Sequence, residues 1–495
     1  DPNTALDIIN GTGEVSINDL DGDKKKLANR WQFSNLSYFF RFNYDFDGRY
    51  LLEFNGRYDG SSKFQSKNRW EFFYGVSGAW RINQEKFLRD IDWISNLKVR
   101  LSYAEMGNQS GISNYDGYQL YVINSNNGAY VGNDKLSTIT TNGTFASNSR
   151  SWERIKNFVG LDFGFLNGAI SGSVDYFEKH NDNMLIGVTY PSLLGDKAPS
   201  SNSGKFKDWG FDGQITYNGR VGDWNYHVGG TFTFARNKIQ DIQGSTLLTS
   251  GFTSVRQGYP INSLFGLRYG GKIQNEEQLK AYVDKFFPNN GVGMPDNLRV
   301  GDNMFCDENG DGVLDYNDYI FLGSDTPEIS YSFNFGVNWK GIDVNFVFQG
   351  AANRFIYRGI NNLTVPMRNW YTNTANASVG NVWSPSNPDA YFSPYIVDNA
   401  INNYNYQASS LTAQDGRYLR LKNLEIGYSL PKKWLTKVGI ENVRIYASAY
   451  NLLTITGLDY LDPEFYIHPS DGGASNMGYF YPINKTYTIG LNVKF

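Results

Sequence analysis

A chain of 495 residues with a formal net charge of −4 gives no electrostatic reason to expect a nucleic-acid partner. Its 16% aromatic content, its 52 glycines and its 19% charged residues fit strands and turns better than helical bundles. The single cysteine, Cys306, excludes an intrachain disulfide framework and a cysteine-rich zinc site. No run approaches the ~18 consecutive apolar residues of a membrane helix, which leaves membrane-spanning strands open.

The first clear element is the stretch "YFFRFNYDFDGRYLLEFNGRY". Tyr38, Phe40, Phe42, Tyr44 and Phe46 share one strand face against Arg41, Asn43 and Asp45, and Asp47-Gly48 supplies a tight primed turn. The alternation then predicts strands over 37–46, 49–59, 69–82, 97–104, 155–166, 169–180, 209–219, 223–236, 329–340, 342–352, 418–430, 442–453 and 485–495. Tight turns fall near 47–48, 167–168, 221–223 and 340–341, with moderate ones at 83–96 and 431–440. Long polar loops cover 109–153, 186–205, 240–328, 353–416 and 454–484. A further strand-like run at 263–275 is assigned by parity to the long loop around it.

Strands of about ten residues, with Phe-, Tyr- and Trp-rich faces and short turns alternating with long loops, have the asymmetry of an outer-membrane barrel. The alternative is a large soluble, carbohydrate-binding β protein, whose apolar faces would form an inner core. The chain ends on "TYTIGLNVKF", one more alternating strand finishing at Phe495. With short turns on the periplasmic side, thirteen strands put both the first and the last on downward runs. Closed single-chain barrels have even strand numbers, so earlier strands are expected to precede this chain.

No catalytic constellation stands out, and an enzyme is not expected. The three histidines, His180, His227 and His468, have no metal spacing, and His227 falls on the polar face of its strand as a lumen-facing residue. One motif is sharp: in "DENGDGVLDYND", Asp307, Asn309, Asp311, Gly312, Asp315 and Asp318 occupy positions 1, 3, 5, 6, 9 and 12 of an EF-hand-like loop. Val313, at position 7, would add its carbonyl, and the loop is expected to hold a structural Ca²⁺. Aspartate at position 12 is shorter than the usual glutamate. The alternative is a metal-free cluster of Asx turns. The loop aromatics Trp370, Tyr371, Trp383, Tyr391, Phe392, Tyr395, Tyr404 and Tyr406 are candidates for stacking on sugar rings or meeting a lid, against simple packing within the loops.

Taken in order, several segments resemble one family, the SusC/RagA-like TonB-dependent outer-membrane transporters. "RYLLEFNGRYDGSSKF", "NRWEFFYGVSGAWRINQEKFL" and "LKVRLSYAEMGNQSG" are similar to its early hairpin and the strand that follows. "WERIKNFVGLDFGFLNGAISGSVDYFEKHNDNML", "YPINSLFGLRYGGKIQ" and "VWSPSNPDAYFSPY" follow in the family's order. "DGRYLRLKNLEIGYSLP" and "NVRIYASAYNLLTITGLDYLDPE" complete the resemblance, which covers nearly the whole chain. It implies an all-β, transmembrane antiparallel barrel of about 22 strands, of which 1–495 would be the C-terminal part. The plug and the TonB-contacting segment would lie upstream. It further implies import of bulky oligosaccharides or peptides across the Gram-negative outer membrane, with a SusD-like lipoprotein lid and energy through TonB. Phe495 would then be the assembly signal of the last strand. The competing function is a structural or adhesive outer-membrane barrel.

Overall fold

The computed structural model of the chain describes residues 14–18, 24–29, 32–110, 112–114, 121–124, 130–131, 134–135, 138–141, 153–156, 160–186, 201–243, 251–287, 295, 298–359, 365–366, 374, 376–435, 439–458, 462–464 and 483–495. Thirteen antiparallel strands stand side by side in one sheet, in sequence order. The first four are β1 (Asn35–Phe46), β2 (Tyr50–Ser61), β3 (Trp70–Arg81) and β4 (Ile94–Asn108). The fifth position, β5, is filled by two pieces, Glu153–Lys156 and Gly160–Phe165, both pairing with the same two neighbours. Then come β6 (Ile170–Ile186), β7 (Ser201–Val221), β8 (Trp224–Asp241), β9 (Ile329–Trp339), β10 (Ile342–Ala352), β11 (Tyr418–Ser429), β12 (Asn442–Thr456) and β13 (Thr486–Lys494). Every strand read from the alternation is present. Among the described residues, β1 and β13 each pair on one edge only.

The predicted turns take the geometry their residues demand. Asp47 and Gly48 both have positive φ, 55° and 64°, as do Lys340 and Gly341, at 50° and 88°. These are primed hairpin turns, whose twist matches the strands they join. The run at 263–275 stays out of the wall, as its parity requires. Ser263–Gly266 pairs with Ile320–Ser324, and Arg268–Lys272 with Asn303–Cys306, within the long connection.

The apolar parity of the wall is not covered by a second layer. Phe42 is 57% exposed, Ile215 52% and Ile489 86%. A continuous apolar face of this extent is a lipid face rather than a soluble core. Aromatic rings gather at both of its ends. At the turn end, Trp224 stacks on Trp339 at 5.1 Å and Tyr50 on Trp80 at 6.5 Å. Glu85 there accepts from the Tyr50 hydroxyl at 2.7 Å and the Trp80 indole at 3.1 Å, and Arg49 pairs with it at 3.3 Å. At the loop end, Tyr58 stacks on Trp70 at 5.1 Å. Two such girdles are what amphipathic rings form at membrane–water interfaces.

β6, β7 and β8 run to 17, 21 and 18 residues, past the ends expected from the alternation. Their polarity inverts at the loop end. Along β8, Phe232 and Phe234 on the outward face give way to Arg236 and Lys238, while the inward face acquires Ile239, which is 1% exposed. The strands leave the membrane here, so the outward face becomes polar and the inward face packs under loops. The expected loop 186–205 shortens accordingly, with β7 beginning at Ser201.

Buried apolar clusters lie at the loop end. Helix α1 (Glu276–Phe286), capped by the Asn275 side chain accepting from the Gln278 amide, brings Tyr282 against Ile273, Leu298 and Ile401. Ile401 sits on the short helix α2 (Asn399–Asn405). Val365, Phe392 and Tyr406 form a second cluster. The described parts of 251–328 and 376–416 thus pack against one another at the loop end.

Candidate functional site

The inward, polar parity of the wall carries two kinds of surface. Between β7 and β10 it carries amides and an imidazole beside Arg220 and Asp343. Asn218, Asn225, His227, Asn338 and Asn345 border a concavity of about 640 Å³ near the turn end. His227 takes the inward position expected of it, its ring filling the space that Gly336 leaves. A second concavity, of about 740 Å³, lies against β1–β4, with Phe39, Arg41, Asn55, Arg57 and Phe73 on its wall.

On either side of the amide stretch, arginines lie flat across the strands. Arg100 of β4 reaches over Gly160 of β5 to Asp175 of β6 at 2.8 Å, and it also holds Asp162 at 2.7 Å. Arg444 of β12 reaches over Gly427 of β11 to Asp343 of β10 at 2.5 Å, and it takes Glu425 as well. A Cβ at Gly160 would meet Asp175 Oδ1 at 1.8 Å, and one at Gly427 would meet Arg444 Nη2 at 2.5 Å. The glycine in the middle strand is what lets each guanidinium span three strands. These pairings neutralise Arg100 and Arg444 within the wall, and amides stand between them as hydrogen-bonding groups.

Residues 462–464, the end of the quoted run "NVRIYASAYNLLTITGLDYLDPE", are drawn against the inward face. Arg420, 1% exposed, holds both Asp462 oxygens, at 2.7 and 2.6 Å, and Glu464 at 3.1 Å. Lys422 also pairs with Glu464 at 2.8 Å, and Arg354 donates to the Pro463 carbonyl at 2.7 Å.

Inside the loop body, a polar network joins two distant connections. Lys272, 4% exposed, donates to Asn303 Oδ1 at 2.7 Å and to Ser393 Oγ at 3.2 Å. Asn405 bridges Asp302 and the Asn303 amide, both at 2.8 Å. Burial lowers the Lys272 ammonium to about 8 against the opposing pull of Asp302, and burial raises the Asp302 carboxyl above its ordinary range.

The acidic loop is a chain of Asx turns. Asp307 accepts from the Gly310 and Gly312 amides, Asn309 from Asp311, Asp311 from Val313, and Asp315 from Asn317. Asp318, fully buried, accepts from Glu308, Asn309 and Asp315. Burial pushes the Asp307 carboxyl up, but the two amides and Lys285, 3.6 Å away at the end of α1, bring it below the usual carboxylate range. Every side chain of the motif is therefore held by the loop's own backbone. Among the described residues, no three His, Cys, Asp or Glu side chains stand together as a metal-binding group. The calcium expectation thus rests on spacing and on these backbone-held oxygens.

The loop aromatics divide. Phe392 and Tyr406 are buried, and the Tyr404 hydroxyl meets that of Tyr282 at 2.7 Å inside the body. Trp383 donates to Gln274 at 3.2 Å, and Tyr391 packs edge-on against Phe392. Tyr395 is exposed. Trp370 and Tyr371 lie outside the described residues. Sequence reasoning missed the arginine straps and the Arg420 clamp. A guanidinium or carboxylate on the polar parity beside an in-register glycine was the sign of the straps, and nothing local signalled the Arg420 clamp.

A thirteen-stranded wall with an apolar outward face, a polar inward face and folded loop segments is the architecture of part of an outer-membrane β-barrel. Comparison with known proteins shows which barrels it is similar to. No family model matches the sequence. The TonB-dependent receptor P26 of Formosa agariphila is 28% identical over 505 residues, 98% of this chain and 48% of that protein. The TonB-dependent receptor SusC of Bacteroides thetaiotaomicron is 28% identical over 465 residues, 93% of this chain and 44% of SusC. The structure of the RagAB peptide transporter superposes with a TM-score of 0.73 at 26% identity, covering 94% of this chain and 47% of that one. By sequence and by fold, the chain is similar to the SusC/RagA-like TonB-dependent transporters of the outer membrane, as its motifs indicate. It spans about half the length of these relatives.

Proposed function

We propose that this chain forms part of the barrel wall of a TonB-dependent importer that brings bulky oligosaccharides or peptides across the outer membrane beneath a SusD-like lipoprotein. The carrying observation is the polar, amide-bearing inward face, whose strap arginines are ion-paired within the wall, joined to a similarity that covers nearly the whole chain. Such a surface offers hydrogen bonds to a large polar solute, and the folded loop segments offer a lid a seat. The similarity to the RagAB peptide transporter supports peptide, and oligosaccharide stands beside it on the resemblance of the motifs. Neither reading includes an enzymatic step.

The test is uptake by cells carrying the full-length gene, with labelled peptide and oligosaccharide pools supplied separately. We expect uptake of one pool to vanish on deletion of the gene or of TonB and to return with the wild-type gene. Undiminished uptake in the deletion strain would favour the structural or adhesive barrel.

Calcium in the acidic loop is part of the same proposal. The ion would be coordinated by Asp307, Asn309, Asp311, Asp315 and Asp318 with the Val313 carbonyl, displacing Lys285 from Asp307. Its role would be to let the loop keep one shape. Calorimetry should detect Ca²⁺ binding at or below millimolar concentration in the wild type and none in Asp311→Ala. Absence of binding in the wild type would leave only the Asx turns.

A further inference from the structure

The outward face of β6, β7 and β8 changes character over four residues. Tyr176, Phe211 and Phe234 stand in register and close the apolar belt. Glu178, Trp209 and Arg236 form the next rung, and His180, Lys207 and Lys238 the one after. His180, Lys207 and Lys238 thus put a base on three neighbouring strands at one level, and Lys156 of β5 is in register with His180. Like charges directly opposite one another weaken an antiparallel pair.

The carboxylates nearby answer only part of this row. Glu178 takes His180 Nε2 at 2.6 Å and Lys207 Nζ at 2.8 Å. Arg236 is held by Glu328 at 3.1 Å. Asp182 lies two residues beyond His180, and Glu105 is in register with Lys156. Lys238 and Lys205, both exposed, make no ion pair among the described residues, with Asp241 in register opposite Lys205. The Lys207 ammonium lies 5.4 Å from the ring centroid of Trp209, so the row sits one step outside an interfacial indole.

We propose that this row binds the phosphate groups of lipid headgroups in the leaflet on the loop side, with a lipid phosphate bridging Lys207 and Lys238. The observation favouring a lipid over a soluble anion is continuity. An amphiphile can lay its chains on Phe211, Phe234 and Ile215 while its phosphate meets the lysines, whereas a free anion has only the lysines. The site faces outward from central strands and does not depend on the import reading.

The test uses the full-length transporter in dodecylmaltoside, titrated with phosphatidic acid and followed by native mass spectrometry. Wild type and the Lys207→Arg/Lys238→Arg pair should retain bound lipid. The Lys207→Glu/Lys238→Glu pair should bind roughly thirtyfold more weakly, as expected for the loss of two surface lysines. Heat-modifiable migration on gels confirms that each variant is folded, and Lys238→Gln alone, with an intermediate loss, serves if the double reversal is not. Equal retention by wild type and charge-reversed protein would overturn the proposal. So would displacement of the lipid by millimolar inorganic phosphate, which would mark a site for free anions.

Discussion

At the scale of single residues, the inward face is organised by arginines, and Arg420 is the most enclosed. Its guanidinium sits at 1% exposure between Thr454, Asp462 and Glu464, a planar fork matched to two carboxylates. Removing one partner of a buried ionic group leaves the others uncompensated, which costs far more than the pair contributes to stability. Arg420→Ala should therefore release residues 462–464 from the wall at a cost of ~3 kcal/mol. Limited proteolysis or hydrogen exchange should show new exposure there, with β1–β10 still protected. Unchanged protection at 462–464 would mean that Lys422 and Arg354 suffice.

At the scale of the element, each wall strand is a two-faced ribbon whose parity decides what a substitution meets. Phe335 faces outward, where its ring lies 6.3 Å from that of Phe346, and the adjacent Asn334 faces inward. Phe335→Arg should cost roughly 2–4 kcal/mol near the membrane midplane, and Leu491→Arg a similar amount. Asn334→Arg, on the wet face, should cost far less. Reversible folding into lipid vesicles measures all three. Equal losses on both parities would contradict the lipid-face assignment. The inversion of polarity along β8 adds a refinement: the penalty for a charge on the outward face should fade between Phe234 and Lys238.

At the scale of the whole molecule, the short turns lie at one end of the wall and the folded loop body at the other. We expect the loop body to be outside the cell. With Cys306 replaced by serine, maleimide applied to intact cells should label a cysteine placed at exposed Val379 and not one placed at Asp47 or Lys340. The opposite pattern would reverse the topology. A lid resting on this body should bury well over ~1,200 Å² in total.

How much of this was readable beforehand follows from the range of the interactions. Alternation and primed turns are local: Phe40 and Phe42 declare their face through their neighbours, and Asp47-Gly48 or Lys340-Gly341 set a hairpin within four residues. Thus the sequence by itself determined the strands, their parity and the exclusion of 263–275 from the wall. The tertiary structure decided everything that depends on residues far apart in the chain. It buried Phe392 and Tyr406, which composition alone presents as available loop aromatics, and it ran β6–β8 beyond the membrane, where loop packing takes over from lipid. It also joined Arg444 to Asp343 across Gly427, because a guanidinium can cross a strand only where register places a residue without a side chain beneath it.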